Sequence, residues 1–266
     1  MIETIIFLVA VIVVWVVIFK MIKSIFIFKA LFRIISVFLL LFLAVLIVAG
    51  LAVLNDANDF RKNFTNSTNL FLLENNGTLL SGVVLNSHDK EPFHILESDK
   101  LIEIQSLYKK SRTDNLTKSY YKVFVINMKA LEDIPEYSIT DQNMNLNKSE
   151  INSILLSENA KSDFVDIMAA KQHVQPEQLV QSLNADDTAL KGYLFSYSLN
   201  YFFNPKNIDK FFTELKDGDI NVYDETAMFK AIKFVPKFMI SDLIKNPTNN
   251  TLLQNSINSV SLNNLV

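Results

Sequence analysis

His88, Asp89, Glu91, His94 and Glu97 fall within one short stretch and form the densest group of potential metal ligands in the chain. Imidazole nitrogen and carboxylate oxygen together suit zinc or manganese, and so a metal-dependent hydrolase. Their spacing matches no established ligand pattern, and a solvated turn accounts for the same residues. His173 lies where a predicted helix ends, and a cation there would favour the last carbonyls. Structural capping explains it without catalysis.

Two Ser-x-x-Lys tetrads, Ser106/Lys109 and Ser119/Lys122, offer a serine with a lysine base. The Ser-Asp-Asn and Lys-Thr-Gly elements of penicillin-recognising enzymes do not accompany them, and in a chain with this much Ser and Lys such tetrads arise by chance. Asp217, Asp219, Asp224 and Glu225 gather two carboxylate pairs. Paired carboxylates do acid–base work when their environments separate their pKa values, but these sit at predicted helix ends, where Asp is favoured as a cap.

Tyr193, Phe195, Tyr197, Tyr201, Phe202 and Phe203 are more aromatic side chains than one helix face needs for a core. Core packing absorbs some of them, and Tyr193, Tyr197, Tyr201 and Phe202 are the candidates for a partner-docking patch. No residue is identified as catalytic, cofactor-binding or metal-binding, and no cofactor is expected. Cysteine is absent, which removes disulfides, thiolate nucleophiles and cysteine-ligated metal sites. Five glycines in 266 residues leave no Gly-rich phosphate loop.

The elements that must hold these residues divide near position 54. Residues 4–19 carry no basic residue and only Glu3 precedes them closely, while 34–54 are uncharged throughout. The second stretch makes about 31 Å of helix at about 1.5 Å per residue, matching a hydrocarbon core of roughly 30 Å. Two membrane spans forming a hairpin are therefore expected over residues 1–54. A cleaved signal peptide fits poorly, because Lys20 and Lys23 follow the first apolar run and no small-residue cleavage site appears.

Lys20, Lys23, Lys29 and Arg33 all lie between the spans, and cytoplasmic loops are enriched in Lys and Arg. The linker is therefore expected inside and the remainder of the chain outside the cell membrane. Sequons at Asn63, Asn66, Asn76, Asn115, Asn147 and Asn249 are compatible with that side, although Asn is common here. Trp15, deep in the first span, is expected to touch the second helix. After residue 54 the chain carries 21 basic and 27 acidic residues. A mildly acidic domain with no basic face argues against nucleic acid as a partner.

Residues 55–69 are polar and read as a stalk. Residues 70–148 are strand-rich. Two apolar runs flank Asn76-Gly77, whose tolerance of positive φ predicts a tight hairpin. Ser98 is placed to cap a helix through Lys110, and 120–128, rich in Tyr, Val, Phe and Ile, predicts a strand beside the hairpin. Residues 149–245 are mainly helical, with Pro176 in a first turn, Asn204-Pro205 and Asp217-Gly218-Asp219 as stops, a strand at 220–223 and Asp224 before a last helix. Residues 246–266, uncharged and Asn-rich, are expected to be a disordered tail. The fold class is α+β: a two-helix transmembrane hairpin, then a soluble domain with a small antiparallel sheet and a helical subdomain.

The run Asn-Leu-Phe-Leu-Leu at 69–73, the strand containing Gly82, Lys-Val-Phe-Val-Ile-Asn at 122–127, Lys-Gly-Tyr-Leu-Phe at 191–195 and Tyr-Asp-Glu-Thr at 223–226 resemble a group of uncharacterised archaeal proteins with a two-helix anchor and one α+β domain. The resemblance spans most of residues 1–245 and implies that architecture, with no activity to carry over. The expected function is a membrane-anchored structural or protein-interaction protein, whose partners are the lipid bilayer and another protein or a second copy. The alternatives are an extracytoplasmic sensor binding a small solute, favoured by a pocket with convergent polar groups, and the hydrolase built on His88–Glu97.

Overall fold

The computed structural model describes residues 11–18, 20, 26–64, 66–86, 89, 93–110, 113–134, 137–141, 144–204 and 207–234. It divides into two units, Met1–Val53 and Leu54–Val266. The expected tail at 246–266 and residues 21–25 of the linker between the spans lie outside the described residues.

In the first unit residues 11–18 are helical (α1), and α2 (Phe26–Asn63) follows. Among the described residues one helix, Ile35–Asn63, is long and apolar enough to cross a membrane, and residues 4–10 and 19 of the expected first span lie outside the described residues. Its Phe38, Leu40 and Val48 side chains are exposed, as are Val13, Val14 and Val17 of α1. The Trp15 ring lies 5.7 Å from Phe32, a contact between α1 and α2.

The second unit begins with the last turns of α2, so residues 55–63 are helix rather than a stalk. The reason is packing. Phe60 stands against Phe229, and Phe64, just past the helix, is buried against Phe71, Phe124 and Phe203.

Strands β1 (Asn69–Asn75) and β2 (Thr78–Leu85) form the expected hairpin, with Asn76 at φ 50 and Gly77 at φ 80 in its turn. β3 (Phe93–Ile95) pairs antiparallel with β2, within the His88–Glu97 stretch expected to be a solvated turn. The crossover α3 (Ser98–Lys109) and α4 (Thr113–Leu116) then returns the chain to β4 (Lys122–Asn127). Glu97, not Ser98, is the N-cap of α3. The Ser98 hydroxyl instead donates to Thr188 Oγ1 at 2.8 Å.

β4 runs parallel to β1 and antiparallel to β7 (Ile220–Tyr223), giving a five-stranded sheet in the order β3-β2-β1-β4-β7. The sheet is mixed, correcting the expected antiparallel one. Its two central strands show why: Leu-Phe-Leu-Leu and Val-Phe-Val-Ile are unbroken apolar runs, the mark of strands covered on both faces by crossover helices. Leu70, Leu72, Val123 and Val125 face α3 and α4, while Phe71, Leu73, Phe124 and Ile126 face the remaining helices. Phe71 and Phe124 stack at 4.9 Å in the centre.

Beyond β4 come α5 (Met128–Glu132), a hairpin of β5 (Ser138–Asp141) and β6 (Met144–Asn147), α6 (Lys148–Leu156), α7 (Ala160–Gln172), α8 (Pro176–Ser182), α9 (Asp187–Phe203), α10 (Ile208–Asp217) and, after β7, α11 (Ala227–Ile232). They are no separate subdomain, since residues of α5, α6, α7, α9, α10 and α11 share one core with the sheet. Asn147 and Glu150 form a capping box on α6, satisfying two amides that the first turn leaves free. A Cβ on Gly192 would stand 2.2 Å from Ile95 Cγ2, so the close crossing of α9 over β3 requires glycine there.

Candidate functional site

Structure distributes the sequence candidates widely. His88 and Glu91 lie outside the described residues. His94 Nε2 and Asp89 Oδ2 meet at 2.8 Å, but both side chains are about half exposed, and Glu97 is exposed as well. His173 ends α7 in the left-handed conformation at φ 56, exposed, so its place there is a backbone one. The Ser106 hydroxyl donates to the carbonyl of Glu103 within its own helix. Ser119 is exposed while Lys122 is buried, so neither tetrad pairs its serine with its lysine.

The aromatic helix separates by face. Phe195 and Phe202 are fully buried, and Phe203 nearly so, in contact with Phe64, Phe71 and Phe211. Phe202 is therefore no docking residue, because it follows Phe195, Ser198 and Leu199 on the side of α9 that meets the core. Tyr193, Tyr197 and Tyr201, four residues apart, make a half-buried row along the helix. Tyr137 lies beside this row, its ring 5.7 Å from Tyr201 and its hydroxyl 2.7 Å from Ser198 Oγ.

The four carboxylates at 217–225 divide between two places. Lys122, withdrawn from water on β4, donates from Nζ to the Asp224 carbonyl at 2.9 Å and lies over the Phe229 ring. Burial lowers its pKa, and the charges of Asp224, Asp56 and Asp59 oppose the shift. Tyr121 beside it donates to Asp59 Oδ2 at 2.7 Å, and burial together with that bond raises its pKa. Asp56 accepts from the amide of Met228 at 3.1 Å, capping α11 in place of Asp224. Glu225 pairs with Lys233 at 2.5 Å.

The second place is the carboxyl end of β4, where ligands commonly approach parallel strands. Asn127 caps α5 through its carbonyl oxygen, accepting from Lys129 N at 2.9 Å, and donates from Nδ2 to Glu74 Oε2 at 2.8 Å. Gly218, at φ 88, turns the chain off α10, and the Asp219 carbonyl then receives the Asn127 amide at 2.8 Å. Asp219 is thereby fixed at the strand's end. Asp133 follows α5, and Glu214 projects from α10.

One carboxylate oxygen each from Asp133, Glu214 and Asp219 lies within 4.8 Å of the other two. Lys129 Nζ reaches Asp219 Oδ2 at 2.8 Å, although its side chain is 61% exposed. Glu214 is 6% exposed, and among the described residues none donates a hydrogen bond to its carboxyl group. Burial, and then the charges of Asp133, Asp219 and Asp217, push its pKa up to about 6, with Lys129 opposing. Sequence reasoning noted Asp217 and Asp219 but missed Asp133, Lys129 and Glu214. The available signal was Glu214 itself, a charged residue three positions after Phe211 on the apolar side of α10.

Comparison of the chain with protein-family models, curated proteins and solved structures gives no match.

Proposed function

We propose that this protein is an integral membrane protein that holds its α+β domain at the outer face of the cell membrane for binding another protein or a second copy of itself. The observation that carries this reading is the helix Ile35–Asn63, apolar over a membrane's thickness with none of its core window buried in protein. Exposed Phe, Leu and Val side chains on every side of a helix have lipid as their natural surroundings. The Trp15–Phe32 contact supports a hairpin of two spans, and the four basic residues between them support a cytoplasmic linker. The tyrosine row on α9, half in the core and half in water, is the surface this reading assigns to the partner. Tyrosine supplies large contact area at small entropic cost, which suits such a surface.

Alkaline extraction of membranes should leave the full chain in the pellet, and protease added to intact cells should remove the domain. A photo-crosslinker in place of Tyr197 should then capture a discrete adduct that the same crosslinker at exposed Lys230 does not. Recovery of the chain in the alkaline supernatant overturns the anchor, protection from protease overturns the side, and identical crosslinking at both positions overturns the docking surface.

A further inference from the structure

We propose that Asp133, Glu214 and Asp219 form a binding site for a hard divalent cation, with calcium as the best fit, at the carboxyl end of β4. This goes beyond the membrane reading and does not depend on it. Three carboxylates gathered in one place are common on protein surfaces and by themselves indicate nothing. What sets this group apart is Glu214. It is almost wholly withdrawn from water, turned toward the other two carboxylates, and receives no hydrogen bond from any described residue. A carboxylate so little exposed is ordinarily paired with a donor, and one left open only to its remaining solvent contact is free to take a water or an ion.

Glu74, only a few residues of strand away, provides the contrast within the same fold. It is equally buried, yet one oxygen accepts from the Asn127 side chain and the other from the Gly77 amide. The fold thus satisfies a buried glutamate here when it has a structural part to play, and Glu214 is left open.

Geometry and chemistry agree on the occupant. Oxygen-only ligation excludes soft metals and favours calcium, magnesium or manganese. Calcium takes several carboxylates in a flexible geometry, whereas magnesium demands a near-ideal octahedron, keeps several waters and is usually held by one or two carboxylates, so a group of three favours calcium. The three oxygens lie close enough together to share one such ion, and waters complete the shell on the exposed side of Asp133. Lys129 is the present counter-charge for Asp219. Its mostly exposed side chain can swing into water, so the cation displaces an ammonium rather than entering an empty negative field.

The test is a calorimetric titration of the full chain in detergent, freed of metal by chelation, with calcium, magnesium and manganese chlorides in turn. One calcium per chain should bind saturably below about 1 mM, more tightly than magnesium. Glu214→Gln should weaken calcium binding about tenfold or more, Asp133→Asn should weaken it as well, and Lys129→Gln should tighten it. Glu97→Gln, on the opposite side of the sheet order at α3, should leave it unchanged. Should Glu214→Gln lose its native circular dichroism, the exposed Asp133→Asn carries the decision. Absence of saturable calcium binding, or calcium affinity unchanged in Asp133→Asn or in folded Glu214→Gln, overturns the site.

Discussion

Glu214 and Glu74 place the same side chain in equally dry surroundings with opposite outcomes, and the difference is measurable. Glu214 has a pKa raised from an ordinary 4.5 to about 6, so the native state holds its proton more tightly than the unfolded chain does. The stabilisation from this proton is complete below the ordinary value and is lost as pH rises through about 6. The difference corresponds to about 2 kcal/mol. In a chelator, Glu214→Gln should therefore match the wild-type chain in urea unfolding at pH 4.5 and exceed it by up to about 2 kcal/mol at pH 8. Parallel stability curves for the two across that range would remove the raised pKa from the account. The groups facing Glu214 are Asp133, Asp217, Asp219 and Lys129, of which the sequence had singled out Asp217 and Asp219 alone, as carboxylates at helix ends. Asp133 and Lys129 join it through the pairing of β4 with β7, a contact between segments about ninety residues apart that no local spacing encodes.

At the scale of elements, the sequence was most legible where one residue type has one use. Asn-Gly made the β1–β2 turn, Pro176 opened α8, Gly218 closed α10, and residues 220–223 were a strand. β3 and the β5–β6 hairpin were missed because each strand is only three or four residues long: Phe-His-Ile and Met-Asn-Leu-Asn do alternate, but over too short a run to stand out from chance. The parallel pairing of β1 with β4 was hidden for another reason: apolar runs report burial on both faces, not direction. The energetic weight of that pair is testable. Phe124→Ala removes the ring stacked on Phe71 and should cost about 3–5 kcal/mol in urea unfolding. A loss under about 1 kcal/mol would show that the ring pair is not the centre of the core. Gly192→Val should destabilise the chain more than Gly50→Val, because a side chain at 192 meets Ile95 while Gly50 has open space around it. Equal melting temperatures for the two variants would deny the close crossing of α9 over β3.

For the whole molecule, the polarity of the chain in the membrane is the property on which the proposed function turns. Replacing Lys20, Lys23, Lys29 and Arg33 together by Glu should invert the anchor and shield the domain from protease added outside intact cells. Unchanged digestion would mean that these four charges do not set the orientation. The long apolar helix of the N-terminal region was plain from composition alone, since its uncharged run continues for 21 residues over 34–54. That residues 55–63 continue the helix into the domain's core was not, because Asp56, Asp59, Arg61 and Lys62 give the segment the look of a solvated connector. Asp56 and Asp59 are in fact bonded to Met228 and Tyr121.

The bond from the Met228 amide to Asp56 joins positions 172 residues apart. During synthesis the apolar helix leaves the ribosome long before α11 exists, so Phe60 and Phe64 wait without their partners from β4, α9 and α11. At about 5–20 residues per second, that interval lasts from several seconds to about half a minute. The domain is therefore a late folder, and the segment just after the apolar helix leaves aromatic side chains uncovered for that interval.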